Sequence, residues 1–345
     1  MHSRAQLKAG LALALACLAG SAHAAALPLV LVTTPDIAAI VQAVAGDMAD
    51  LQVVLPPGAD PHDFTVTSEQ VRSFGAAGLI VYANSRALGF EHVIRTALPD
   101  KPALDWPDYA AQGARLRDYP GYPQNPHAFW LNLDNAAAIA RAVASRLETL
   151  GLPGDVLEGR TALFEQDLKA QRAVAARVVQ ERCLAGRPML AVIPGVCDVI
   201  ANWGLPVGDV LMAEGSGTVA GKRLQDAVAK LRGGAYSAIV CPLSMQKAKQ
   251  GEAARQVAAD SGAPIIYVHF LDTRLGQDSY LSQMADNLAA LAGVGQKPSP
   301  PETLRGGKAG ALVIAGIFGL LLGIALGRYF SRPRGPSCGA GIFDK

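Results

Sequence analysis

Charge is scarce in this sequence: 17% of its 345 residues are Asp, Glu, Lys or Arg, and the formal net charge is +2. Nucleic-acid binders gather Lys and Arg on one face, and a near-neutral balance leaves no such footprint, so nucleic acid is excluded as a partner. No internal repeat or low-complexity tract stands out. The glycine-rich turn Glu214-Gly215-Ser216-Gly217-Thr218 carries no Lys and is therefore an ordinary strand–helix turn rather than a phosphate loop. What is abundant is apolar: hydrophobic residues make up 50% of the chain. This length suits two domains of about 100–150 residues each.

Both ends are more apolar than the middle. Residues 1–24 hold Arg4 and Lys8, then an apolar stretch, then Ala22-His23-Ala24. A basic start, a short apolar run and a small-x-small site predict a cleaved secretory signal peptide. Residues 309–327 form a run of 19 uncharged residues, enough for one membrane-spanning helix. Arg328, Arg332 and Arg334 follow it, which assigns the tail 328–345 to the cytoplasmic side. The expectation is a protein held by one span at the periplasmic face of the inner membrane. Gly319, Gly323 and Gly327 recur every four residues, a spacing that lets a second membrane helix approach closely.

Of five cysteines, Cys17 is in the leader and Cys338 in the tail. Cys183, Cys197 and Cys241 remain in the exported part, where disulfides persist; their odd number leaves at least one outside any internal pair.

Between the ends, short apolar runs alternate with helical patterns, which predicts an α/β fold with parallel sheets. Strands are expected at 29–32, 51–55 and 78–82, with a helix over 37–47 and another, capped by Asp134, running to about 150. These belong to a first unit, 25–154. Within the connector 155–186, a helix over 155–184 would reach roughly 40 Å at ~1.5 Å per residue, longer than one unit requires. The second unit, 187–294, has strands expected at 189–193, 207–212, 238–241 and 265–269 and a last helix at 278–292. A linker, 295–308, leads to the span. The fold class is thus two Rossmann-like lobes joined by a long rigid helix, plus one transmembrane helix.

Open parallel sheets bind ligands beyond the carboxyl ends of their strands. Two such loops contain a proline-fixed histidine: Pro57-Gly58-Ala59-Asp60-Pro61-His62-Asp63 and Asn125-Pro126-His127-Ala128-Phe129-Trp130. A third, after the last strand, contains Leu271-Asp272. A lone loop His or Asp is commonly an ordinary polar residue or turn former, and His92 reads as a surface helix residue. Trp130 and Trp203 read as core packing.

Taken together, Gly58-Ala59-Asp60-Pro61-His62-Asp63-Phe64, Pro126-His127-x-x-Trp130, and Leu271-Asp272 ahead of Asp278-Ser279-Tyr280-Leu281-x-x-Met284-x-x-Asn287 resemble the zinc/manganese solute-binding proteins of ABC transporters. The resemblance runs from about residue 29 to 292. It implies two lobes that clamp one metal ion, a permease and its ATPase as partners, and His62, His127 and Asp272 as ligands. Zn2+ is the expected ion, with Mn2+ and Cu+ as alternatives.

One feature of the family is missing. Its fourth ligand, a His or Glu after the first strand of the second lobe, falls here on Pro194 or Gly195, neither of which has a ligating side chain. Cys197, Asp198 and His269 are the nearby candidates. If the second sheet has strand order 2-1-3-4, the strand before Cys197 neighbours the strand ending at Cys241, and a disulfide between the two is favoured over a thiolate ligand. Residues 110–124 hold no His and one acid, Asp118, so the auxiliary His-rich loop of some zinc members is absent. The functional expectation is therefore metal capture without catalysis. A diverged paralogue that binds copper or serves as a membrane-held scaffold is the alternative, and a metal-dependent hydrolase the remote one.

Overall fold

A computed structural model describes residues 27–213, 219–277 and 279–293. The leader, the turn at 214–218, Asp278, the linker, the 309–327 run with its three glycines, and the tail lie outside the described residues. Among the described residues no helix is long and apolar enough to cross a membrane.

Strand β1 (Leu29–Val32) has Val30, Leu31 and Val32 fully buried, as a parallel strand covered on both faces requires. It pairs in parallel with β2 (Asp50–Val53) and β3 (Leu79–Val81), and β3 pairs with β4 (Ala103–Leu104), giving the order β2-β1-β3-β4. Helix α1 (Pro35–Ala45) crosses from β1 to β2 and buries Ile37, Ile40, Val41 and Val44 at its helical spacing. Helix α2 (Ser68–Phe74), opened by a Thr67–Gln70 capping box, and α3 (Gly89–Ala97) supply the next crossovers. Then come α4 (Trp106–Ala111), an antiparallel hairpin of β5 (Arg117–Tyr119) and β6 (Tyr122–Asn125), and α5 (Leu133–Thr149).

Helix α6 (Gly154–Glu181) is 28 residues long and packs along α1, α5 and the last helix. Its buried stripe is Leu157, Phe164, Leu168, Ala175 and Val179. The second sheet contains β7 (Met189–Ala191), β8 (Val207–Val210), β9 (Ile239–Pro242) and β10 (Ile265–Val268), all parallel, in the order β10-β9-β7-β8. Read from its other edge, this is the expected 2-1-3-4, and it repeats the order of the first sheet. Helices α7 (Cys197–Asn202), α8 (Gly221–Arg232), α9 (Glu252–Ser261) and α10 (Tyr280–Ala292) complete the chain.

Three local expectations are corrected. Helix α5 is capped by Asn132, whose Oδ1 accepts from the amides of Asp134 and Asn135 at 3.0 and 3.4 Å; Asp134 is already in the first turn. His269 stands just past β10 rather than in it. The Cys197–Cys241 disulfide is not formed: both are buried thiols outside any disulfide.

Buried polar contacts join the two halves. Asp198 Oδ1 accepts from Tyr119 Oη at 2.8 Å and from Asn132 Nδ2 at 2.9 Å. Asn202 accepts from the Leu133 amide at 3.1 Å and donates to the Leu131 carbonyl at 2.6 Å. Tyr280 Oη donates to the Trp130 carbonyl at 2.8 Å. Trp130 and Trp203 are core residues, 3% and 4% exposed, and His92 is an exposed residue of α3.

Candidate metal centre

His62 and His127 reach the same crevice by the same local device. In Asp60-Pro61-His62 the Asp60 carboxylate accepts from the His62 amide at 2.9 Å. In Asn125-Pro126-His127 the Asn125 side-chain oxygen accepts from the His127 amide at 3.3 Å. An Asx side chain folded onto the backbone two residues ahead makes a tight turn, and the intervening proline removes the competing donor and fixes φ. Gly58, at φ +78°, supplies the left-handed residue that the first loop needs.

The two imidazole rings are 5.4 Å apart between centres and inclined by 55°. With metal–nitrogen bonds of about 2.0–2.1 Å and near-tetrahedral angles, two rings on one ion have centres roughly 5 Å apart. The pair therefore has the spacing of co-ligands. The crevice around them is lined by His62, Asn84, Leu88, His127, Phe270 and Leu271, so all three loops singled out from the sequence meet there.

Asp272 sits one residue beyond that lining, and its carboxylate is engaged by other groups. Its Oδ2 is 3.0 Å from His269 Nδ1, and its Oδ1 accepts from the Phe270 amide at 3.2 Å and Gln283 Nε2 at 3.1 Å. Among the described residues, no three His, Cys, Asp or Glu side chains converge closely enough to hold a metal ion. The structure thus brings His62 and His127 together and holds Asp272 next to His269.

The other candidate ligands are placed elsewhere. Cys197 is completely buried and Asp198 is 1% exposed, and neither lines the crevice. Asp198 instead receives Tyr119 and Asn132 across the halves; burial pushes its carboxyl above the usual range, against those two hydrogen bonds. Burial likewise pushes the Cys241 thiol up to about 12, which keeps it protonated at neutral pH and a poor ligand. Pro194, standing where the family's fourth ligand is expected, uses its carbonyl to accept from Asn125 Nδ2 at 3.1 Å. That position is thus sealed against the first half.

Two buried acids beside the crevice escaped the sequence reading. Asp36, the second residue of α1, is fully buried. It accepts from Trp130 Nε1 at 3.2 Å, the Leu271 amide at 3.0 Å, Thr273 Oγ1 at 2.6 Å and Gln283 Nε2 at 3.3 Å. Glu91, also fully buried, accepts from Thr33 Oγ1 and from the Ala83 and Asn84 amides, both at 2.8 Å. Burial pushes its carboxyl up to about 7 despite those bonds. In sequence each is an acid in the first turn of a helix, where the dipole alone accounts for it. The Asp-Pro and Asn-Pro steps before the two histidines were the available signal for the paired turns.

Known proteins resemble this chain in sequence and in fold. The metal ABC transporter substrate-binding lipoprotein FimA of Streptococcus parasanguinis is 27% identical over 294 residues, 81% of this chain and 93% of that protein. The manganese ABC transporter substrate-binding lipoprotein PsaA of Streptococcus pneumoniae is 27% identical over 295 residues, again covering 81% and 93%. Two solved structures share the fold. The solute-binding protein FpvC of Pseudomonas aeruginosa in complex with Mn2+ superposes with a TM-score of 0.65 at 17% identity, over 77% of this chain and 97% of that one. The periplasmic zinc binding protein TroA of Treponema pallidum gives 0.63 at 21% identity, over 77% and 98%. The profile of the ZnuA family, described as zinc-uptake complex component A periplasmic, matches residues 30–294, and the chain belongs to that family.

Proposed function

We propose that this protein captures a divalent transition metal, zinc foremost, outside the cytoplasmic membrane and delivers it to an ABC permease powered by its ATPase. The side-by-side rings of His62 and His127, 5.4 Å apart, carry this reading. Family membership and the FimA and PsaA relatives, named as ABC transporter substrate-binding lipoproteins, support it. Asp272 completes the ligand set when metal draws it toward the two imidazoles, with water or His269 in the fourth position.

Two imidazoles and one carboxylate suit zinc better than manganese, which prefers oxygen. A thiolate ligand would favour Cu+, but Cys197 and Cys241 are buried thiols that do not line the crevice. The 19-residue run at 309–327 tethers the capture region at the periplasmic face; protease added to spheroplasts should digest that region and spare the span and tail. A carrier turns nothing over, so ester or peptide hydrolysis by the zinc-loaded protein would revive the hydrolase alternative.

Zinc titration of the full-length protein in detergent is the deciding experiment. The wild type is expected to bind one ion tightly, and His62→Ala to lose that binding, because one of so few ligands holds a large part of the site's free energy. Undiminished affinity in His62→Ala sinks the assignment.

A further inference from the structure

Three loops that carry candidate ligands converge on one carboxylate and one peptide group. The carboxylate is that of Asp36, buried at the start of α1. Its Oδ2 accepts from Trp130 Nε1, three residues beyond His127, and from the Leu271 amide. Its Oδ1 accepts from Thr273 Oγ1 and from Gln283 Nε2, and that Gln283 nitrogen also donates to Asp272 Oδ1 at 3.1 Å. The peptide group is that of Leu271. Its amide is taken by Asp36, and its carbonyl accepts from the Gly58 amide of the His62 loop at 2.7 Å.

Leu271 is held at φ +53°, a left-handed conformation costly for a branched side chain and maintained where surrounding bonds over-determine it. Ala128, directly after His127, is held at φ +51°. A strained residue therefore adjoins both His127 and Asp272, and Asp36 bonds to the segment containing each. None of the four donors is on the α1 helix itself; the partners of Asp36 lie 94 to 247 residues away in the chain.

Resting on the metal-capture reading above, we propose that Asp36 is the positioning residue of the site. It touches no cargo. Through Leu271, Thr273 and Gln283 it sets where Asp272 stands relative to His62 and His127. A buried carboxylate kept for stability alone would lower the melting temperature when replaced and leave metal affinity unchanged. A positioning carboxylate also lowers affinity, because the ligand loop loses its register.

The test uses the full-length protein, zinc as the probe, and two variants that keep every candidate ligand. Asp36→Asn preserves shape but presents an amide to donors that need an acceptor. Gln283→Met keeps the volume and cuts the arm from Asp36 to Asp272. Each should weaken zinc binding about 10–100-fold, the range for outer-shell partners, speed zinc dissociation, and shrink the zinc-induced rise in melting temperature. If Asp36→Asn fails to fold, Gln283→Met alone decides. Unchanged affinity in the folded variants, with the wild type binding tightly and His62→Ala not at all, overturns the positioning role and leaves metal capture standing. A wild type that binds no metal overturns both.

Discussion

The Nδ1 atom of His269 lies 3.0 Å from Oδ2 of Asp272, while the other nitrogen of the same ring stands 4.0 Å from Asp286. A ligating carboxylate is oriented by the groups that hydrogen-bond it, and loss of such a partner commonly costs 10–100-fold in metal affinity. His269→Ala is therefore expected to weaken zinc binding by about one to two orders of magnitude. Isothermal titration beside His62→Ala checks this, since His62→Ala should abolish binding outright. An unchanged dissociation constant in His269→Ala would show that Gln283 and the Phe270 amide suffice to orient Asp272.

Cys197 tests the alternative ligand set. Its side chain is completely buried, is not in a disulfide and lies outside the crevice lining. Cys197→Ser replaces a buried thiol with a smaller and more strongly polar hydroxyl, whose desolvation costs about 1–3 kcal/mol. Urea unfolding should register that loss, and zinc affinity should stay within about twofold of wild type. A tenfold fall in affinity with unchanged stability would restore Cys197 as a ligand.

Much of this molecule is legible in its sequence because parallel α/β architecture writes itself as buried apolar runs. The strand expected at 29–32 is observed at Leu29–Val32, and the order of the second sheet follows the common doubly wound pattern. The elements that escaped are short: β4 is two residues, and α4 and the β5–β6 hairpin precede the His127 loop. Their signals are local chemistry rather than periodicity, namely Asp105-Trp106-Pro107-Asp108 as a capping box and Pro120-Gly121 as a turn. The family resemblance drawn from the His62, His127 and Asp272 motifs is confirmed by the profile match over 30–294. What no local pattern could supply was burial of single acids. Asp36 and Asp198 acquire their partners from segments 66 or more residues away, so their roles exist only in the folded chain.

Asp198 separates the joining of the two halves from metal selectivity. Because it is occupied by Tyr119 and Asn132, it should have no part in choosing the ion. Asp198→Asn, which keeps an oxygen for both donors, should leave the ratio of zinc to manganese affinity unchanged in competition titrations. Asp198→Ala strands two buried donors and should cost about 2–4 kcal/mol in unfolding free energy. A shift in the zinc-to-manganese ratio in Asp198→Asn would place a second carboxylate at the metal.

Glu91 should leave a signature in the pH dependence of stability. Its carboxyl is pushed up to about 7 from an ordinary 4.5, chiefly by burial, with Thr33, Ala83 and Asn84 opposing the shift through their hydrogen bonds. Below about 4.5 the group is protonated in both folded and unfolded chains and contributes no pH dependence. Between about 4.5 and 7 the unfolded chain releases the proton while the folded chain keeps it, so the unfolded state gains. Stability contributed by the neutral carboxyl is thus present at low pH and lost as pH rises through about 7. Integrated across that window, the loss is roughly 3 kcal/mol. Glu91→Gln has no proton to release, although its amide fits the three donors less well and lowers stability at every pH. Asp36 and Asp198 are also raised by burial, but they are present in both proteins and cancel in the difference. Urea unfolding of wild type and Glu91→Gln from pH 5 to pH 8 should therefore show the wild type's advantage shrinking steadily and levelling off above about 7. An advantage that stays constant across the series would mean that the Ala83 and Asn84 amides hold Glu91 ionised throughout, with burial the weaker of the two effects.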